Sequence, residues 1–185
     1  VVRMTVAMLE LGCDEVSLGD TIGVGTPGQV QDLLAAVIAE APVERNGAQV
    51  TAMGTPRGLE RDLVPARGFD LELIDPVPVP RRPSVDLLKL PFRVIRAVRQ
   101  ARGVLRDADA LIGFGGYVSA PAYLAARSLG IPFFVHEANA RAGLANKLGQ
   151  RLGGTSYNAV PDSGMPGEVV GIPVRASLRN ADHAD

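Results

Sequence analysis

The stretch from Asp109 to Lys147, DALIGFGGYVSAPAYLAARSLGIPFFVHEANARAGLANK, leaves few folds open to this chain. An apolar strand enters a glycine turn, small and apolar residues then repeat at helical spacing, and a second apolar strand, PFFVH, ends in a polar loop. Strand, helix and strand in so short a span make a parallel βαβ unit, because parallel neighbours need a crossover of about this length.

The same alternation continues on both sides. Val1 to Leu11 reads as a helix and EVSL at Glu15 to Leu18 as a short strand closed by Gly19. Thr26, Pro27 and Gln29 form a capping box that opens a helix ending near Pro42. AQVTAM at Ala48 to Met53 is strand-like, RGLERDLVPAR after the Gly54–Pro56 junction is a short helix, and FDLELID alternates as a strand. PVPVPRRP at Pro76 to Pro83 excludes helix and central strand, which predicts an extended surface loop. A helix from Leu87 to about Asp107, the strands LIGF and PFFVH, a helix from about Arg141, and weaker strands near Ser156 and Val169 follow; RNADHAD frays. The expected fold is α/β, a single doubly wound domain whose mostly parallel sheet is covered on both faces.

With 185 residues the chain can bury one substantial core. A formal net charge of −1 disfavours a general nucleic-acid partner, and Cys13 with only His136 and His183 makes neither a disulfide nor a zinc site. No apolar run reaches membrane-spanning length and no signal peptide is evident, so a cytoplasmic location, peripheral at most, is expected. Gly23, Gly25 and Gly28 fit a dinucleotide fingerprint, but no acidic residue follows at the end of AQVTAM to take a ribose hydroxyl. No cofactor and no metal are expected.

Three motifs carry candidate chemistry. GFGGYVSAP (Gly113 to Pro121) opens a helix after a strand, which makes Gly115, Gly116, Tyr117 and Ser119 either a tight βα turn or a diphosphate cradle at a helix N-terminus. HEANARAGLANK (His136 to Lys147) starts at the carboxyl end of a buried strand, where open α/β sheets gather ligands. His136 and Glu137 there are either ligand groups or a hydrogen-bonded pair fixing the loop, and Asn146 either supports the loop or is a helix-surface amide. Arg93, Arg96, Arg99 and Arg102 recur at spacings of three beside Val94, Ile95, Val98 and Ala101. That basic amphipathic helix suits an anionic membrane surface, or else a solvated face whose apolar side packs on the sheet.

From about Asn46 to Leu178, through these motifs, the chain resembles the N-terminal, acceptor-binding domain of MurG-type glycosyltransferases, which transfer N-acetylglucosamine from UDP-N-acetylglucosamine to the undecaprenyl-linked muramyl acceptor, lipid I. The resemblance implies an acceptor diphosphate at Gly115, Gly116 and Tyr117, donor contacts from Thr21, Asn139 and the Arg175 of a Pro-Val-Arg motif, and peripheral attachment near the basic helix. It also implies a second domain holding most of the donor contacts, and the sequence stops soon after Arg175.

Residues 1–45 resemble instead a βα stretch of hydroxymethylglutaryl-CoA lyase, a metal-dependent barrel enzyme. That family's His-x-His ligands would follow APVER, where this chain has NGAQVTAMG, so lyase chemistry is not expected. The chain therefore reads as a join in which a lyase-like segment supplies the first strand and helix of one domain. In the first loop GDTIGVGTP replaces the transferase family's Gly-Gly-Thr-Gly-Gly-His-Val-Phe-Pro; Gly19, Thr21, Gly23 and Pro27 coincide, and Val24 stands where that family has its histidine. Loss of general-base help of this kind is worth roughly 10² to 10⁴ in rate. The expected product of the join binds the acceptor with little or no contact to UDP-N-acetylglucosamine, and the alternative is a scaffold with neither parent activity.

Overall fold

The computed structural model describes residues 15–19, 49–58, 60–78 and 85–172. Seven strands, β1 (Glu15–Gly19), β2 (Gln49–Gly54), β3 (Asp70–Leu73), β4 (Ala110–Gly113), β5 (Phe133–Glu137), β6 (Thr155–Asn158) and β7 (Glu168–Val169), form one sheet in the order β3-β2-β1-β4-β5-β6-β7. Every pairing is parallel. The order reverses between β1 and β4, so the crevice beside the carboxyl end of β4 is the switch point of a doubly wound sheet. The helices predicted at Val1 to Leu11 and from Thr26, with Cys13, Thr21, Val24, Arg175 and His183, lie outside the described residues.

Between the strands run α1 (Glu60–Leu63), α2 (Val85–Val104), α3 (Gly116–Leu129) and α4 (Leu144–Arg151), with 3₁₀ turns at Pro65–Arg67 and Leu105–Asp107. Small residues let α3 lie close to the sheet: Ala122, Ala125 and Ala126 are fully or almost fully buried, and Tyr123 fills the space that they leave. Ala101 and Leu105 of α2 and its 3₁₀ extension join Met53, Ile74, Leu111, Val118 and Val135 in one core. Tyr123 lies over two glycines: a Cβ on Gly113 would meet its hydroxyl, and one on Gly149 would stand 2.7 Å from its ring. Burial pushes that hydroxyl far above the ordinary phenol range.

Two expectations need correction. The loop after β3 is not wholly a surface loop, since Val77 is buried and its N–H donates to the Tyr117 carbonyl at 3.4 Å. Pro121 has no N–H to offer Tyr117 in the helical ladder, so that carbonyl is open to the loop. The helix after β5 begins at Leu144 rather than near Arg141, because the intervening backbone is tied elsewhere.

Candidate functional site

At the carboxyl end of β4 the chain turns through Gly115 (φ 96°, ψ −159°) and Gly116 (φ 80°) into α3. Side chains are strained in both conformations, and a Cβ on Gly115 would also stand 3.2 Å from Asn146 Nδ2. No side chain caps the helix, so the N–H groups of its first turn are left to water or to an anion, with the helix dipole adding to the attraction. Tyr117 is about half exposed beside them. Ser119 is fully buried and its hydroxyl donates to the Gly115 carbonyl four residues back, so it braces the turn from inside and is not presented to a ligand.

The polar loop after β5 is built around Glu137, whose side chain is fully buried. Its Oε1 accepts from the backbone N–H and Nδ2 of Asn139, both at 2.8 Å, and its Oε2 from Gly143 N–H and Asn146 Nδ2, both at 2.9 Å. Four N–H donors stand in for the hydration a buried carboxylate gives up. Asn146 also donates to the His136 carbonyl at 3.1 Å and accepts from Tyr123 at 3.0 Å, which fixes the orientation of its amide. It is buried, not a helix-surface amide.

Two further bonds close the frame. Ala142 N–H donates to the Ser163 carbonyl and Ala159 N–H to the Glu137 carbonyl, each at 2.8 Å. Asn158 holds the next loop through Ser163 Oγ at 2.7 Å and the Met165 carbonyl at 3.0 Å. Asn139 itself is exposed with Nδ2 held by Glu137, which leaves its Oδ1 to accept from a ligand. The glycine turn and the Asn139 loop thus share one rigid support, Asn146. His136 does not pair with Glu137: consecutive strand residues point to opposite faces, and its Nε2 meets the Gly171 carbonyl at 3.0 Å.

Tyr123, Asn158 and Ser163 are the supporting residues that sequence reasoning missed. A bulky tyrosine set between the small residues Ala122 and Ala125 of α3 was the only local signal for any of them. Among the described residues no group of three His, Cys, Asp or Glu side chains is placed to hold a metal ion.

The four arginines of α2 are all exposed; Arg96 Nε meets Asp75 Oδ2 at 2.7 Å, and Arg102 donates to Ser128 Oγ at 2.7 Å. While Val98 and Ala101 pack inward, Ile95 lies with Leu88 and Phe92 on an exposed apolar strip. Spacings of four and three residues put these three on one helix face, opposite Ala97, Ala101 and Leu105. An open groove there is lined by Phe92, Ile95, Arg96, Arg99 and Gln100. No helix among the described residues is long and apolar enough to cross a membrane.

An all-parallel, doubly wound sheet with an uncapped glycine turn at its switch point defines a Rossmann-like half-domain of the kind that two-domain glycosyltransferases use. Residues 21–153 match the glycosyltransferase family 28 N-terminal domain, and the chain belongs to that family. A UDP-N-acetylglucosamine–N-acetylmuramyl-(pentapeptide) pyrophosphoryl-undecaprenol N-acetylglucosamine transferase from Corynebacterium efficiens is 67% identical over 164 residues, covering 88% of this chain and 45% of the relative. The Mycobacterium ulcerans protein of the same name is 56% identical over 168 residues, covering 86% and 42%. Acinetobacter baumannii MurG superposes with a TM-score of 0.67 at 31% identity, over 87% of this chain and 45% of that one. The chain thus spans less than half the length of these relatives. The family match starts at residue 21, so the transferase likeness extends toward the N-terminus well beyond the boundary expected at residue 46.

Proposed function

We propose that this chain is the acceptor-binding half of a peptidoglycan glycosyltransferase, the enzyme class that moves N-acetylglucosamine from UDP-N-acetylglucosamine to lipid I. The observation that carries the reading is the uncapped N-terminus of α3 at the switch point, joined through Asn146 to the loop that bears Asn139. A diphosphate suits the first, since it can accept several backbone N–H bonds at once. A sugar hydroxyl suits the second, since Asn139 Oδ1 can accept from it. Thr21 and Arg175 are further donor contacts in this reading.

The exposed strip Leu88, Phe92 and Ile95, with Arg93 and Arg99 near it, is the membrane face, and it serves a lipid-linked acceptor on the cytoplasmic side as a peripheral attachment. β1, which comes from the lyase-like segment, pairs with both β2 and β4 at the centre of the sheet, and this supports a single folding unit. Val24 favours a second reading, an inactive scaffold, because valine cannot take a proton from a sugar hydroxyl.

Co-sedimentation with anionic vesicles, with and without a lipid I analogue and across a salt series, separates the two. Binding that the analogue strengthens and salt weakens supports the acceptor domain. Equal partition, or none from a folded sample, supports the scaffold.

A further inference from the structure

The imidazole of His136 takes no part in the site described above, which uses only its backbone carbonyl. His136 is 1% exposed at the carboxyl end of β5, its ring stands edge-on to Phe114 with centroids 5.7 Å apart, and its Nε2 lies 3.0 Å from the Gly171 carbonyl oxygen. A carbonyl can only accept, so Nε2 carries the ring proton; Nδ1 then bears the lone pair and has no hydrogen-bond partner. The contact spans 35 residues of sequence. Immediately before it, Val170 N–H donates to the Asn158 carbonyl at 2.9 Å, and Gly171 itself takes φ 78°. Two bonds on consecutive residues therefore hold the chain where it leaves β7. The first is an ordinary backbone bond, and the second exists only because residue 136 offers a donor at the tip of a side chain packed on Phe114.

We propose that His136 is a positioning residue that latches the segment Val170–Gly171–Ile172 to the end of β5 and so sets the direction in which the chain leaves the sheet. The residue type fits the task. Phenylalanine would fill the space with no donor, and lysine or arginine would bury a charge. The sequence continues into Pro173, Val174 and Arg175. The latch rests on described residues alone and not on the function proposed above.

The test uses the whole 185-residue chain and nuclear magnetic resonance. In the unsubstituted protein the imidazole nitrogens are expected to show the proton on Nε2. His136→Phe is expected to lower the heteronuclear NOE of Gly171 and Ile172, and to speed Val170 amide exchange roughly five- to tenfold, the size of one lost hydrogen bond. The β5 and β6 amides should be unchanged, and His136→Gln, which keeps a neutral donor, should restore Val170. Unchanged dynamics in folded His136→Phe, no rescue by His136→Gln, or a proton on Nδ1 in the unsubstituted protein would each overturn the proposal. If His136→Phe does not fold, the ring tautomer and His136→Gln decide. No sugar nucleotide enters the measurement, so a failure of the donor reading leaves its outcome untouched.

Discussion

The carbonyl of Tyr117, in the first turn of α3, accepts its bond from Val77, forty residues earlier in the chain, at 3.4 Å. Pro121 makes this possible by withholding the N–H that a helix would normally supply. The loop between β3 and α2 is thereby tied to the glycine turn, and its other side is held by α2, where Gln100 Oε1 accepts from Asp75 N–H at 2.9 Å and Arg96 meets the Asp75 carboxylate. The exposed strip of α2 and the glycine turn are consequently joined through three residues, Asp75 to Val77.

Pro121→Ala returns a donor to the helix and puts it in competition with Val77. Faster Val77 amide exchange is expected, with global stability changed by no more than about 1 kcal/mol, because one hydrogen bond replaces another. Hydrogen exchange with mass spectrometry checks both, and a Val77 amide as protected as before would show that the proline does not control the tie.

Glu137→Gln replaces one oxygen of the carboxylate with an N–H₂ group facing two of its four donors. Buried donors left unsatisfied should lower stability by about 2 to 4 kcal/mol in urea unfolding. The loop 138–143 should become protease-sensitive first. A loss within experimental error would mean that the carboxylate does not organise the loop.

The parts of this structure legible in the sequence were those with a local cause. The β4–α3–β5 unit lies within a residue or two of its expected bounds because apolar runs, glycines and small helical residues each specify their own neighbourhood. The start of α4 was misjudged since Glu137 takes the Gly143 N–H and Ser163 the Ala142 N–H, and such competition leaves no periodic trace. The side of α2 that meets the sheet was left open by the sequence because α2 has apolar residues on two faces, and hydrophobicity alone does not say which one packs. The partners of His136 and Asn146 are tertiary, joined across 35 and 23 residues by side chains whose spacing carries no signature.

A pH dependence follows from His136. Burial lowers its pKa below the ordinary 6.5, while the bond to Gly171 and the neighbouring Glu137 act more weakly in the other direction. As pH falls below about 6.5 the unfolded chain binds a proton that the folded chain refuses, so stability must decrease toward acid and is fully present above that pH. Urea midpoints measured from pH 8 to pH 5 should fall at the acid end. They should fall less in His136→Gln, and equal slopes in the two proteins would assign the acid sensitivity elsewhere.

Membrane attachment, if it uses α2, should discriminate among its arginines. Arg96 and Arg99 both line the groove beside Phe92 and Ile95, but Arg96 is already engaged by Asp75, as Arg102 is by Ser128. Arg99→Glu should weaken binding to anionic vesicles roughly tenfold or more at low salt, with a smaller effect from Arg96→Glu, whose own ion pair is lost at the same time. Equal effects, or none, measured by vesicle co-sedimentation would remove the basic groove from the account.

Gly115 is the sharpest test of the turn. Its φ and ψ fall in a region that is almost exclusive to glycine, and the Cβ of an alanine there would press on Asn146, which holds Glu137, Tyr123 and the His136 carbonyl in place. Gly115→Ala should therefore cost about 1 to 3 kcal/mol of stability through backbone strain alone. It should also weaken inorganic pyrophosphate binding to the folded protein, because any relief of that strain turns the α3 N–H groups away from their common focus. Gly130→Ala makes the control: Gly130 also has positive φ (75°), at the other end of the same helix, and a Cβ there meets nothing within 4 Å. Isothermal titration that shows pyrophosphate binding lost in Gly115→Ala and kept in Gly130→Ala would place the anion at the N-terminus of α3; equal binding in both would place it elsewhere.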